Sequence, residues 1–142
     1  MLVACIEHAA ELRWAPAIKL PAVSWAGLVA VVVGELLRKA AMIQAQHNFT
    51  HMIQLRKRPE HTLVTSGVYA WVRHPGYVGW TIWAVGTQLL LCNPLCIPAF
   101  AAAAWRFFDR RIRAEERLLA SFFGEAWQQY RARVRSGIPG IP

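Results

Sequence analysis

One hundred and forty-two residues leave room for one domain. With 56% hydrophobic residues, seven tryptophans and a mean hydropathy of +0.27, the composition argues against a soluble enzyme and for a membrane protein with interfacial aromatic anchors. A net charge of +8 first suggests nucleic acid. The basic residues instead cluster where apolar stretches end, at Arg38-Lys39, Arg56 to Arg58, Arg73, Arg106 to Arg117 and Arg131 to Arg135, which is the pattern of cytosolic loops beside an anionic leaflet; no nucleic-acid partner is expected.

Residues 1–21 are mixed, and Pro16 and Pro21 interrupt them; they predict a short interfacial helix and a loop. The start has no basic segment and no long apolar run, so it is not read as a signal peptide. Residues 22–37 are nearly all apolar, and counting on to Met42-Ile43, with Arg38 and Lys39 snorkelling, reaches the length of a membrane span. Glu35 inside it is read as a helix-surface partner of Arg38 or Lys39. The polar run 44–61 follows. His47 and His51 have a zinc-compatible spacing but no third ligand in register, so no metal is expected. Asn48, His51 and Gln54 are read as a hydrogen-bonding wall that extends the first span.

The run from His61 to Trp71 is polar and turn-rich, and Arg73-His74-Pro75-Gly76-Tyr77-Val78-Gly79-Trp80 follows it. Pro75 disfavours helix at His74 and suits a first helical turn, so a helix is predicted to start near Pro75 with Arg73-His74 as its lip. Residues 78–91 and 95–108 are apolar around the turn Cys92-Asn93-Pro94, a helical hairpin. Its open ends are basic and its turn uncharged, which places 44–75 and everything after 106 in the cytosol. Cys92 and Cys96 are read as small core residues. The helix continues over 105–123, its charges mostly those of a solvated surface, and 124–142 reads as a basic, turn-rich tail. The fold class is therefore an all-α integral membrane protein. It has about three transmembrane helices, including the hairpin, and a cytosolic loop and C-terminal helix form the site.

The 61–77 loop and the 106–117 helix supply His61, Tyr69, Arg73, His74, Tyr77, Arg110, Arg111, Glu115 and Glu116. No catalytic triad, phosphate loop or dinucleotide-binding glycine turn is present. Tyrosines, an acid and arginines around irregular backbone suit a polar cofactor and an anionic group.

The segments Glu35 to Met42, Asn48 to His51, His61 to Trp71, Arg73 to Trp80, Cys92-Asn93-Pro94, Trp105 to Phe108 and Glu115-Glu116 closely resemble the isoprenylcysteine carboxyl methyltransferases. The resemblance covers about residues 20–137 and is most specific over His61 to Trp80. It implies a membrane-embedded methyltransferase domain over 1–142 that corresponds to the family's C-terminal catalytic part, the family having further spans ahead of it. It implies S-adenosyl-L-methionine as cofactor, and as substrate the C-terminal prenylcysteine carboxylate of CaaX-processed proteins such as small GTPases. It also implies the endoplasmic reticulum membrane, with the site facing the cytosol. Cofactor contacts fall by resemblance on Gln54, His61, Thr62, Leu63, Val64, Tyr69, His74, Pro75, Gly76, Tyr77 and Glu115. Arg111 matches the substrate carboxylate's partner, and Arg73 is a second basic group near it. Gly76 departs from the small polar residue usual in the family, which removes a hydroxyl but keeps any backbone contact. The alternatives are a sterol-type reductase using NADPH, a phospholipid N-methyltransferase and a non-catalytic membrane fragment.

Overall fold

The computed structural model describes residues 2–49 and 55–141. Among the described residues there are five α-helices: α1 Leu2–Trp14, α2 Pro21–Ala45, α3 Pro75–Leu90, α4 Cys96–Phe123 and α5 Glu125–Arg133. Short 3₁₀ turns lie at Pro16–Ile18, Gln46–Asn48 and Gly67–Ala70. Among the described residues the extended pairing is a single isolated parallel bridge, Val72 with Arg135.

The helix boundaries follow from local chemistry. Pro21 and Pro75 occupy first helical positions, where a missing N–H costs nothing. The carbonyl of His74 accepts the N–H groups of Tyr77 and Val78, both at 3.0 Å, so the lip residue is also the cap of α3. Gln46 ends α2 by taking φ 48°, and Cys92 turns the hairpin with φ 49°.

The chain forms two compact units, one within Met1–Leu36 and Gly79–Arg106, the other within Leu37–Val78 and Phe107–Pro142. In the first, α2 and α3 approach through glycines seven residues apart on each helix. A Cβ at Gly27 would lie 2.1 Å from the Leu90 nitrogen. One at Gly34 would lie 2.6 Å from both the Gly79 oxygen and the Trp83 nitrogen. Such backbone contact needs small residues on the facing surfaces. The hairpin turn is tied down by polar groups of α1 and the loop after it. Asn93, fully buried, donates to the Ala4 carbonyl at 2.9 Å. Lys19 donates to the Leu91 carbonyl at 2.7 Å and pairs with Glu11. Glu7 accepts the N–H groups of Leu95 (2.7 Å) and Cys96 (3.0 Å), placing a carboxylate at the start of α4. Cys92 and Cys96 are free and buried.

The second unit departs from expectation in two places. Asn48 does not continue α2; it sits in the 3₁₀ turn and grips Thr62, accepting its N–H at 2.9 Å and donating to its hydroxyl at 3.2 Å. His51 and Gln54, the rest of the expected wall, lie outside the described residues. The supposed tail contains α5, whose Trp127 and Tyr130 are both buried. Their one-turn spacing after Gly124 was the available sign of a packed helix.

The expected helices are present, but among the described residues none is long and apolar enough to cross a membrane. α3 has 16 residues, α4 becomes charged from Arg106, and α2 carries Glu35, Arg38 and Lys39.

Candidate active site

All residues of the site belong to the second unit. The 61–65 segment runs without regular secondary structure, held at its start by Asn48. Gln44 shapes the next turn, accepting the Val68 N–H at 2.9 Å and donating to the Ser66 hydroxyl at 3.3 Å. Gly67 is required there: its φ is +55°, and a Cβ would collide with the Gln44 side chain. Tyr69 then donates to the Ala41 carbonyl at 3.3 Å, and Tyr130 of α5 donates to the Tyr69 carbonyl at 2.6 Å.

These contacts open a shallow cleft of about 90 Å³ lined by Asn48, Thr62, Leu63, Val64, Tyr69, Arg73, Leu119, Phe123, Trp127 and Tyr130. A neighbouring hollow of about 70 Å³ shares Asn48, Thr62, Leu119 and Phe123 and adds His61. Both are smaller than a typical small-molecule pocket of about 300–1,000 Å³. His61 accepts the Arg58 N–H on Nδ1 at 3.4 Å, while its buried Nε2 has no hydrogen-bond partner among the described residues. A buried donor of this kind is costly unless something accepts from it. Burial pushes the Tyr69 hydroxyl up to about 12, assisted by the negative charge of Glu115 and by Tyr130; burial also takes Tyr130 to about 12. Both are neutral donors at physiological pH.

A second cluster is built on Tyr77. Its hydroxyl donates to Glu115 Oε2 at 2.5 Å and accepts from Arg111 Nε at 2.8 Å. Its ring stacks on His74 (centroids 5.4 Å apart) and Phe108 (4.7 Å), with the Arg111 guanidinium 5.4 Å from the ring centre. Arg111 and Glu115 are four apart on α4, so α3 inserts one hydroxyl between an acid and a base that share a helix face. A Cβ at Gly76 would meet the Phe49 ring at 3.4 Å and the Ala41 side chain at 3.9 Å, ordinary contact, so a small side chain would fit there.

A third cluster lies beneath the lip. Arg73 donates to Glu116 Oε1 from Nε (3.0 Å) and Nη2 (2.8 Å), and through Nη1 to the carbonyls of Val134 and, at 3.3 Å, Arg131. His74 Nε2 is 3.1 Å from the same Glu116 oxygen. Arg73, His74 and Glu116 are 5%, 6% and 7% exposed. Burial alone would raise the Glu116 carboxyl, but the hydrogen bonds of His74 and Arg73 and the guanidinium charge outweigh it and hold the group below the usual carboxylate range.

The structure thus groups the expected residues into three clusters. His61, Thr62, Leu63, Val64 and Tyr69 border the two hollows. Tyr77, Arg111 and Glu115 form the Tyr77 cluster. Arg73 and His74 turn toward Glu116, with Pro75 buried behind them. Gln54 lies outside the described residues. Glu116, expected among the residues supplied to the site, is a buried partner of the lip; a sign of this was its place one turn after Ile112 and one before Leu119 on the apolar stripe of the helix. Trp127 and Tyr130 were not anticipated at all.

Comparison with known proteins gives a consistent result. Residues 25–121 match the model of the isoprenylcysteine carboxyl methyltransferase (ICMT) family. The chain is 55% identical to a Xenopus laevis protein-S-isoprenylcysteine O-methyltransferase over 115 residues, which is 81% of this chain and 40% of that protein. It is 52% identical to the human protein of that name over 126 residues, 87% of this chain and 44% of that one. A probable protein-S-isoprenylcysteine O-methyltransferase of Oryza sativa subsp. japonica is 47% identical over 142 residues, 99% of this chain and 74% of its own. A solved structure described as the eukaryotic intramembrane Ras methyltransferase ICMT superposes with a TM-score of 0.97 at 48% identity, covering 99% of this chain and 50% of the other. The chain therefore spans less than half the length of the frog and human proteins.

Proposed function

The chain belongs to the isoprenylcysteine carboxyl methyltransferase family, and we propose that it methyl-esterifies the C-terminal prenylcysteine carboxylate of prenylated proteins, with S-adenosyl-L-methionine as methyl donor. The observation that carries this reading is the Tyr77 cluster, which sets one arginine and one carboxylate on either side of a single hydroxyl. Arg111 binds the substrate carboxylate, for which a guanidinium is geometrically suited. Glu115 answers the positive amino group of the cofactor. The small GTPases are the natural substrate class, since the solved relative is described as a Ras methyltransferase.

The chemistry of the residues around the two hollows suits the cofactor. His61 Nε2, which has no hydrogen-bond partner among the described residues, offers a donor, Thr62 a hydroxyl, Leu63 and Val64 an apolar wall, and Tyr69 a neutral ring. By resemblance the cofactor set also includes His74, Pro75, Gly76 and Tyr77, which line neither hollow, and Gln54, which lies outside the described residues. When bound, the cofactor supplies a methyl group carried on a positively charged sulfur. The acceptor carboxylate has an ordinary pKa of about 3.5 and is already ionised, so no general base is needed. The chain's contribution is positioning and exclusion of water. Arg111 meets Tyr77 through Nε, and its guanidinium is the group assigned to the substrate carboxylate. Arg73, buried against Glu116, supports the lip rather than meeting substrate.

The same reading places the chain in the endoplasmic reticulum membrane as a multi-pass protein of three spans, its site toward the cytosol. Trp25, Val29, Val32, Leu36 and Ile43 follow helical spacing along one side of α2 and are all exposed, from 49% upward. An exposed apolar stripe of that length suits lipid. A prenyl chain shares that preference, at about 0.8 kcal/mol per buried CH₂.

Arg111→Ala tests the assignment. S-adenosylmethionine binding by calorimetry should be retained, while the KM for N-acetyl-S-farnesylcysteine rises and kcat/KM falls about 100-fold. An unchanged KM for the acceptor would remove Arg111 from the substrate site.

A further inference from the structure

We infer that Glu116 and the tail segment 134–141 are positioning elements, clamping the Arg73-His74 lip from two sides so that Tyr77 stands between Arg111 and Glu115. This rests on the methyl-transfer reading and adds to it residues that contact neither cofactor nor substrate.

One side of the clamp is made of side chains. Glu116 takes two hydrogen bonds from Arg73 and one contact from His74 on a single oxygen, and it does so next to Glu115, on the helix that carries Arg111. Its other oxygen is 3.4 Å from Arg131 Nε. The other side is backbone. The Arg73 N–H donates to the Arg135 carbonyl at 2.8 Å, and the His74 N–H to the Ser136 carbonyl at 3.1 Å. Arg73 completes the ring by donating to the Val134 carbonyl.

The tail is fitted for this task. Ser136 is 1% exposed and donates to the Ile141 carbonyl, folding the segment on itself. Gly137 has φ +98°, and a Cβ there would press on Val78 and Val72 at 2.7 and 2.8 Å. Only a residue without a side chain lets the tail lie this close to the lip.

The clamp has a direct route to the chemistry. His74 caps α3 and stacks on Tyr77 three residues on, so fixing His74 fixes the first turn of α3 and the tyrosine in it. A buried ion pair is often no more stabilising than apolar packing of the same volume. Holding one geometry is the use that this pair serves here.

The test uses the whole chain in membranes or detergent, with amide hydrogen exchange at Arg73 and His74 and methyl-transfer kinetics read on the same preparations. Glu116→Gln keeps the shape and removes the charge; Ser136→Ala is a milder variant that loosens only the tail. Both should accelerate exchange at the two amides, by about tenfold or more in Glu116→Gln. In Glu116→Gln kcat should fall at least about tenfold with the acceptor KM within about threefold. Adding Arg73→Lys should cost no further rate, because the two residues act as one unit. Unchanged exchange at both amides overturns the clamp, and so do additive losses in the double variant. A parent chain that transfers no methyl group would count against the methyl-transfer reading, and the exchange arm would still decide the clamp by itself.

Discussion

Replacing Tyr77 with phenylalanine removes one oxygen atom and leaves the stack on His74 and Phe108 in place. That oxygen makes two hydrogen bonds to charged groups, at 2.5 Å to Glu115 and 2.8 Å to Arg111. Such bonds contribute about 1.5–3 kcal/mol each, which sets an upper bound of roughly 3–6 kcal/mol. Both partners are only half-buried, so water reaches them. They are also four apart on α4 and can pair directly, returning roughly 0.3–0.5 kcal/mol. A net stability loss of about 1–2 kcal/mol follows, too small to unfold the protein. The rate should suffer more. An Arg111 drawn onto Glu115 is turned away from the acceptor and neutralises the carboxylate meant for the cofactor. Single-turnover methyl transfer should slow about 10- to 100-fold, equivalent to about 1.4–2.7 kcal/mol of barrier. Equal transfer rates in the parent and Tyr77→Phe, with thermal midpoints also equal, would refute the role given to this hydroxyl.

Two further expectations concern stability. Gly34→Ala forces a methyl to within 2.6 Å of the Gly79 oxygen and the Trp83 nitrogen, both backbone atoms that cannot swing aside. A loss of at least about 1–3 kcal/mol is expected as a lowered thermal midpoint in detergent, with S-adenosylmethionine affinity in the surviving folded protein unchanged. Glu116 is held below the ordinary carboxyl value, so its contribution is present above about pH 4.3 and is lost as pH falls through its folded value. The thermal midpoint should therefore drop on acidification below that point, and in Glu116→Gln this part of the pH dependence should disappear.

The helices were legible because their signals are local. Pro75 marks the start of α3, Cys92-Asn93-Pro94 marks the hairpin turn, and continuous apolar sequence marks α2. The site was legible as residue types and as a resemblance, but not as a geometry. Glu116 carries the same chemistry as its neighbour Glu115, and only the packing of the Arg73 lip and the tail decides which is buried. The break at Gln46 has no breaker residue in the sequence; tertiary contacts of Asn48 with Thr62 set it. The same limit hid α5, since its basic surface reads as tail until Trp127 and Tyr130 find a buried place. The close approach of α2 and α3 did have a signal, glycines seven residues apart at 27 and 34 and again at 79 and 86, which a reading by hydropathy alone passes over.

The central claim is carboxyl methyl transfer to a prenylcysteine. Its most direct test is transfer of a labelled methyl group from S-adenosyl-L-methionine to N-acetyl-S-farnesylcysteine by this chain in membranes, with Glu115→Ala as control. Base-labile label in the lipid-soluble product, lost in the control, is the expected result. Folded protein that binds the cofactor yet leaves the acceptor unlabelled would contradict the account.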